Sequence, residues 1–177
     1  MTVPSVVWLR RDLRLADQPA FHAAAAAGPV IAVFVLDDAR PGDRKLGGAS
    51  RWWLHGSLAS LERELARHGS RLILRRGDAV AEVAAVVRET GARTVHALRH
   101  YEPWWREAEQ QLAGKLDLCL HDGNYLLPPG SVTTGSGQPF RIYTPFARAA
   151  LRMLPGCDPL GVPRLSSPES WPKSDTL

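Results

Sequence analysis

The sequence predicts an α/β domain built on a five-stranded parallel, doubly wound sheet of the Rossmann-like type, with helices on both faces. Two observations carry this prediction. Short apolar runs recur at residues 6–9, 30–36, 72–74, 94–98 and 116–120. Helical patterns alternate with these runs, and crossovers of that length imply parallel strands joined by right-handed connections.

The first strand and the first helix follow from local signals. Residues 6–9 read Val-Val-Trp-Leu, an unbroken apolar run typical of a buried strand. Residues 20–27 are nearly all alanine, the best helix former. Asp17 is expected to cap this helix, and Pro19 suits its first turn.

The second strand and helix are equally distinct. Residues 30–36 are apolar on both faces, so this strand should be central in the sheet. Within residues 50–68, leucines recur at helical spacing and Gly69 stops the pattern.

The remaining strand–helix units complete the sheet. Asp78 is expected to cap a third helix that ends before Gly91, and residues 103–114 form a fourth. In residues 116–120, leucines alternate with Asp117 and Cys119, which favours an edge strand.

After residue 120 the pattern changes. Turn signals predict a long surface excursion, followed by a short helix over residues 144–154. Residues 155–177 hold five prolines and several serines, a linker composition. We therefore expect an α/β domain at residues 1–154 and an inter-domain linker at 155–177, with a further domain missing from this chain.

Composition and charge limit the partners and the cellular location that the chain can have. The 177 residues carry a net charge of +4, which permits an acidic partner such as nucleic acid. No apolar run approaches the roughly 20 residues of a membrane span, and no signal peptide precedes the first strand. A cytoplasmic location follows, with no membrane partner and with Cys119 and Cys157 as reduced thiols.

Several common chemistries are absent from the sequence. Arg10-Arg11-Asp12 occupies the place after the first strand where a dinucleotide pyrophosphate needs glycines. There is no phosphate-binding P-loop motif, and the six histidines lack metal-ligand spacing. We expect neither a catalytic residue nor a metal site in these residues.

Two polar clusters fall at the ends of predicted neighbouring strands. Residues 10–17 hold three arginines and two aspartates, at the rim where ligands bind in open parallel sheets. Residues 99–106 add Tyr101, Trp104 and Trp105, which suit a flat conjugated ligand. The alternative is that a tryptophan packs under the fourth helix while the arginines make ordinary surface pairs.

Five motifs in order resemble the N-terminal part of the DNA photolyase and cryptochrome family, most closely the bacterial class I cyclobutane pyrimidine dimer photolyases. The resemblance runs from about residue 5 to 155. Its motifs are residues 7–15 with Asp17 and Pro19, residues 33–37, residues 50–55, residues 101–103 and residues 137–146.

The resemblance implies a light-harvesting domain of a deoxyribodipyrimidine photo-lyase. In that family an all-helical domain after the linker binds FAD and UV-damaged DNA, and photoexcited FAD donates an electron to a flipped-out pyrimidine dimer. This chain alone would then lack repair activity and bind DNA weakly or not at all. Its own FAD-binding domain would be its intramolecular partner.

By the same resemblance, an antenna chromophore would lie between the strand ends. Trp104-Trp105 replaces the Asn-Glu pair of folate-type members, and Trp105 stands where deazaflavin-type members tend to have glycine. The identity of the chromophore is therefore open among a folate, an 8-hydroxydeazaflavin, another flavin and none, and the two tryptophans favour an occluded or unusual antenna site. The positions carried over are Arg10, Phe34, Leu36, Asp37, Leu46, His100, Tyr101, Glu102, Trp104, Trp105 and Arg106.

Two other functions stay open. A cryptochrome photoreceptor shares this half of the chain, and its signalling and lesion-binding features lie elsewhere. A stand-alone nucleotide-binding α/β module would need neither FAD nor DNA.

Overall fold

The computed structural model describes residues 2–154, 156 and 158–176. Strands and helices alternate along the chain, as the sequence predicted. The strands are β1 (Ser5–Leu9), β2 (Val30–Leu36), β3 (Leu72–Arg76), β4 (Thr94–Leu98) and β5 (Asp117–His121). The helices are α1 (Pro19–Ala27), α2 (Gly48–Arg67), α3 (Ala79–Thr90), α4 (Pro103–Ala113) and α5 (Tyr143–Met153).

The five strands form one parallel sheet in the order β3-β2-β1-β4-β5. The chain winds outward from β1 in one direction and then in the other, so β1 lies at the middle of the sheet and β2 is an interior strand, as predicted. β2 lies between β1 and β3, which explains why both of its faces are apolar. β5 is an edge strand, as its alternating pattern indicated.

A separate apolar core covers each face of the sheet. On one face, α3 and α4 pack against Val6, Trp8 and Ile31. On the other face, α1 and the second half of α2 pack against Val7 and Leu9. Because β1 supplies buried residues to both cores, its carboxyl end is held firmly in place.

The start of α1 differs from the expectation. The helix is capped by Gln18, whose side-chain oxygen accepts from the backbone nitrogen of Ala20 at 3.3 Å. Asp17 has a left-handed backbone with φ of 51°, and its carboxylate accepts from the nitrogen of Leu160. The prediction of an Asp17 cap is therefore wrong. The Asp78 cap of α3 is confirmed.

Residues 158–176 contain no helix or strand, yet they lie along the domain. Their backbone accepts from Asp17 and from Val30, and the nitrogen of Asp175 donates to the carbonyl of Leu74 on β3. Trp171 packs against the core on the α3 and α4 face. The domain boundary at 155 and the linker role stay predictions, and Pro155, Cys157 and Leu177 lie outside the described residues.

None of the helices in the described ranges is both long enough and apolar enough to span a membrane.

Candidate functional site

A cavity of about 570 Å³ opens beside the carboxyl ends of β1 and β2. The cavity lies next to the switch point of the sheet, where β1 separates the β2 side from the β4 side. Crevices at this point are the usual ligand sites of doubly wound folds. The walls come from the segment after β1, the end of β2, the loop before α2, the first half of α2 and the start of α4.

The walls are largely apolar and aromatic. Phe34 and Leu36 at the end of β2 form one side, and Leu46 and Trp53 flank the opening. Trp53 is 72% exposed, so its ring has little packing within the described structure and is available to a ligand. Trp104 is half-buried at the first turn of α4 and completes the aromatic lining.

Besides Arg10, three arginines line the cavity, and they differ in how many hydrogen-bond or ion-pair partners their guanidinium groups have. Arg14 donates to the carbonyls of Asp17 and Gly123, and Arg11 pairs with Glu102 at 2.8 Å. The side chain of Arg44 makes no hydrogen bond or ion pair with any residue that the structure describes, and only its backbone nitrogen donates, to the carbonyl of Pro41. Arg44 is therefore the cation best placed to meet an anionic group.

Asp37 adds a carboxylate to the wall but no free acceptor. Its oxygens accept from the backbone nitrogens of Ala39, Arg40 and Ala79 at 2.8–3.1 Å. The side chain of Arg40 pairs with it at 3.2 Å. Asp37 therefore shapes the loop after β2 and is engaged with the protein itself.

The floor of the cavity is built on a buried ion pair. Arg10 donates to Glu109 at 2.6 Å and to the carbonyl of Leu98. Its guanidinium carbon lies 4.3 Å from the ring centre of Trp8 and 5.7 Å from that of Trp105. Burial lowers the pKa of Arg10, and the adjacent carboxylate of Glu109 opposes that effect.

Behind the floor lies a second group of buried charges. One oxygen of Asp12 accepts from the nitrogen of Arg10 and faces His100 at 3.3 Å, and the other accepts from Gln18 at 2.7 Å. Burial alone would raise the pKa of Asp12. The contacts with His100, together with the hydrogen bond from the Arg10 nitrogen and the charge of Arg10, outweigh burial, and the pKa lies below its ordinary value.

Seven of the eleven sequence-derived positions line the cavity. They are Arg10, Phe34, Leu36, Asp37, Leu46, Trp104 and Trp105.

The other four lie outside the lining. His100 is buried between Asp12 and Glu102, and Glu102 pairs with Arg11 at the start of α4. Tyr101 turns away to pack on Tyr125, and Arg106 is on the exposed surface of α4.

Trp105 does not fill the site. Its ring packs edge-on against Trp8, with ring centres 5.9 Å apart, and it forms part of the floor. The alternative that a tryptophan packs under the fourth helix is thus correct for Trp105. The cavity stays open beside Trp105, so this side chain does not occlude it, and an unusual antenna site stays a prediction.

The sequence reasoning missed the wall formed by α2. Ser50, Trp53, Leu54 and Ser57 all line the cavity, and their spacing of three, four and seven residues is that of one helix face. That periodicity was readable in the sequence. Arg11, Arg14 and Arg44 were missed because only contacts reveal which arginines face the cavity.

A doubly wound parallel sheet with an aromatic cavity at its switch point defines a Rossmann-like ligand-binding domain. The family model described as DNA photolyase matches residues 5–166, so the chain belongs to the DNA photolyase family. It corresponds to the N-terminal domain of that family, and the resemblance found in its motifs is confirmed.

Relatives agree with this assignment. The chain is 42% identical to "Deoxyribodipyrimidine photo-lyase" of Agrobacterium fabrum, covering 99% of this chain and 38% of that protein. It is 38% identical to "Cryptochrome-1" of Arabidopsis thaliana, covering 84% of this chain and 23% of that protein. Two-fifths or less of each relative is therefore represented here.

Solved structures share the fold. A bacterial class III photolyase from Agrobacterium tumefaciens superposes with a TM-score of 0.86 at 40% identity, covering 99% of this chain and 37% of that one. A Synechocystis cryptochrome, at 22% identity and a TM-score of 0.80, covers 98% of this chain and 39% of that one and shows the fold alone. Membership of class I within the family stays a prediction.

Proposed function

We propose that this chain is the light-harvesting domain of a deoxyribodipyrimidine photo-lyase and that its cavity holds a flat, conjugated antenna chromophore. The observation that supports this proposal most directly is the open cavity of about 570 Å³ at the switch point, with its aromatic walls and cationic rim. Its volume lies within the range of small-molecule and cofactor sites.

The chain's own residues would bind, orient and shield such a ligand. Trp53 and Trp104 offer ring faces for stacking, and Phe34 and Leu36 exclude water from the inner wall. Arg44 would neutralise an anionic tail, which folates and phosphorylated flavins both carry. When bound, the chromophore would absorb light and pass its excitation energy to a flavin elsewhere in the protein.

The remaining parts of the proposal concern the whole protein. Homology to photo-lyases supports light-driven repair of pyrimidine dimers in UV-damaged DNA, with FAD bound in a helical domain that this chain does not cover. We propose that residues 155–177 connect the two domains and that the protein is cytoplasmic. The chain alone would neither repair DNA nor bind it strongly. We propose class I for the whole protein from its motifs, with class III as the alternative that the 40% identity to a bacterial class III photolyase favours.

The absorption and fluorescence of the purified chain test the cavity. The probes are 5,10-methenyltetrahydrofolate, 8-hydroxydeazaflavin and FMN. We expect one of them to bind with a shifted, structured band. Colourless protein after incubation with all three would contradict the proposal.

A matched pair of variants locates the bound probe. Ser50→Trp places an indole in the cavity wall, whereas Ser60→Trp makes the same change on the exposed surface of the same helix. We expect Ser50→Trp to abolish binding and Ser60→Trp to preserve it. Equal binding by both would place the ligand elsewhere.

A cryptochrome photoreceptor is the second candidate, because the chain is 38% identical to "Cryptochrome-1" of Arabidopsis thaliana. Light-dependent repair of a thymine dimer in duplex DNA by the full-length protein distinguishes the two. Repair supports the photo-lyase. Photochemistry of bound FAD without any repair supports the photoreceptor.

A further inference from the structure

A guanidinium lies between two indole rings at the floor of the cavity. Arg10 is 4.3 Å from the ring centre of Trp8 and 5.7 Å from that of Trp105, and the two rings meet edge-on. Arg10 and Trp105 both line the cavity, while Trp8 is fully buried behind them. A ligand in the cavity would therefore contact one of these rings directly.

An indole ring in this position can quench the excited state of a light-absorbing ligand. Indole is among the most easily oxidised side chains, and an excited conjugated ring is a strong one-electron oxidant. The indole would lose one electron and the excited ligand would gain it. When that electron returns, both partners are back in their ground states and the absorbed energy is released as heat. No excitation energy is then passed on.

We propose that Arg10 suppresses this loss by making Trp8 and Trp105 harder to oxidise. A ring that has given up an electron is positive, and a fixed cation 4–6 Å away opposes its formation. The inference rests on the proposed function, since it needs an excited ligand in the cavity. It assigns Arg10 an electrostatic role beyond packing.

The surroundings of Arg10 suit this role. Glu109 and the carbonyl of Leu98 fix the guanidinium, and arginine stays charged even when it is buried. The side chain of Arg10 is only 1% exposed, so water screens its charge little. Among the described residues, the guanidinium is the cation in contact with both rings, and the Glu109 carboxylate at 2.6 Å offsets part of its field.

Fluorescence lifetime of the bound probe tests the inference. Arg10→Met removes the charge and keeps a long apolar side chain. We expect the lifetime of bound 5,10-methenyltetrahydrofolate or FMN to fall about twofold or more, because the opposing charge is gone. An unchanged lifetime at full occupancy overturns the inference.

The matched control is Arg71→Met. Arg71 lies 4.4 Å from the ring centre of Trp171, the same type of contact, and neither residue lines the cavity. We expect the lifetime to stay at the wild-type value. An equal fall in both variants would show a general effect of losing an arginine and would overturn the inference.

Rescue separates charge from packing. In Arg10→Met/Trp105→Phe the cavity-lining indole beside residue 10 is gone. Trp53 and Trp104 are the same in every variant, so the lifetime should recover most of its loss. If the fall came from loosened packing, the phenylalanine would not restore it.

Two outcomes remain. If Arg10→Met does not fold, Trp105→Phe alone decides: a severalfold longer lifetime than wild type would show that the indole quenches despite Arg10, and little change supports the inference. If no probe binds the wild-type chain, the proposed function fails and this inference fails with it. If the probe binds but its fluorescence lifetime is the same with and without Arg10, only this inference is overturned and the proposed function stands.

Discussion

The two strands that flank β1 end in contrasting surroundings. On the β2 side lies an open cavity whose aromatic rings and Arg44 have few partners in the described structure. On the β4 side, the space is closed by buried polar groups that pair with one another, with Arg10 on Glu109 and Asp12 between Gln18 and His100. One arginine-rich segment thus supports binding on one side and stability on the other.

The largest effect on the free energy of unfolding is expected from a substitution on the closed, β4 side. Glu109→Ala leaves Arg10 buried without its carboxylate, and removal of one partner from a buried pair costs about 3–5 kcal/mol. We expect urea unfolding to show a loss of this size or a failure to fold.

Glu107→Ala is the matched control, because Glu107 is exposed on the same helix. Its loss should stay within about 0.5 kcal/mol of wild type. Similar losses in the two variants would mean that the buried pair carries no special weight.

The second-largest effect is expected on acidification, which should lower the free energy of unfolding through Asp12 on the closed side. The pKa of folded Asp12 lies below its ordinary value of 3.8, so the folded state binds protons less readily than the unfolded state does. Its contribution is present above pH 3.8 and is lost as the pH falls through the folded pKa.

Urea midpoints between pH 7 and pH 3 measure this loss. His96 and His121 contact each other at 3.0 Å, and burial lowers the pKa of both below 6.5, so they add an acid-side loss that begins at higher pH. Asp12→Asn should flatten only the lower part of the profile. An unchanged profile in that variant would remove Asp12 as a cause.

A change on the open side should weaken binding and leave stability intact. Trp53→Ala removes an exposed ring from the cavity mouth, and an aromatic contact contributes about 0.5–1.5 kcal/mol, a loss of roughly two- to tenfold in affinity. Titration of the bound probe measures it. Trp52→Ala is the control, since Trp52 is 76% exposed on the same helix but does not line the cavity. Equal losses would contradict stacking by Trp53.

The smallest effect is expected at the rim. Arg44→Gln removes a solvent-facing charge, which contributes at most about 1 kcal/mol and is screened by salt. We expect a modest loss of affinity at low ionic strength that disappears at high salt. A loss that persists in high salt would indicate a shielded contact.

Much of the fold could be predicted from the sequence because its signals are local. Apolar runs and helical spacing gave all five strands and helices, and Asp78 before an alanine-valine helix was a sufficient cap signal. The Gln18 cap was not predictable, because the Gln18 amide is held by Asp12 and the Asp17 carboxylate is taken up by the nitrogen of Leu160, a residue remote in the sequence.

The site was only half predictable for the same reason. Strand order brings the ends of β1, β2 and β4 together, so the positions there followed from topology. Which side chains turn into the cavity depends on long-range pairing. His100 and Glu102 follow the end of β4, but buried partners draw them to the closed side.

The tail that lies against β3 has a consequence for self-association. An edge strand exposes backbone donors and acceptors that can recruit a strand from another molecule. Ser174 accepts from the nitrogen of Leu74, and Asp175 donates to its carbonyl, so the tail occupies both polar groups at the middle of that edge. An irregular, proline-rich segment thereby helps to keep the protein from joining sheets with its own copies.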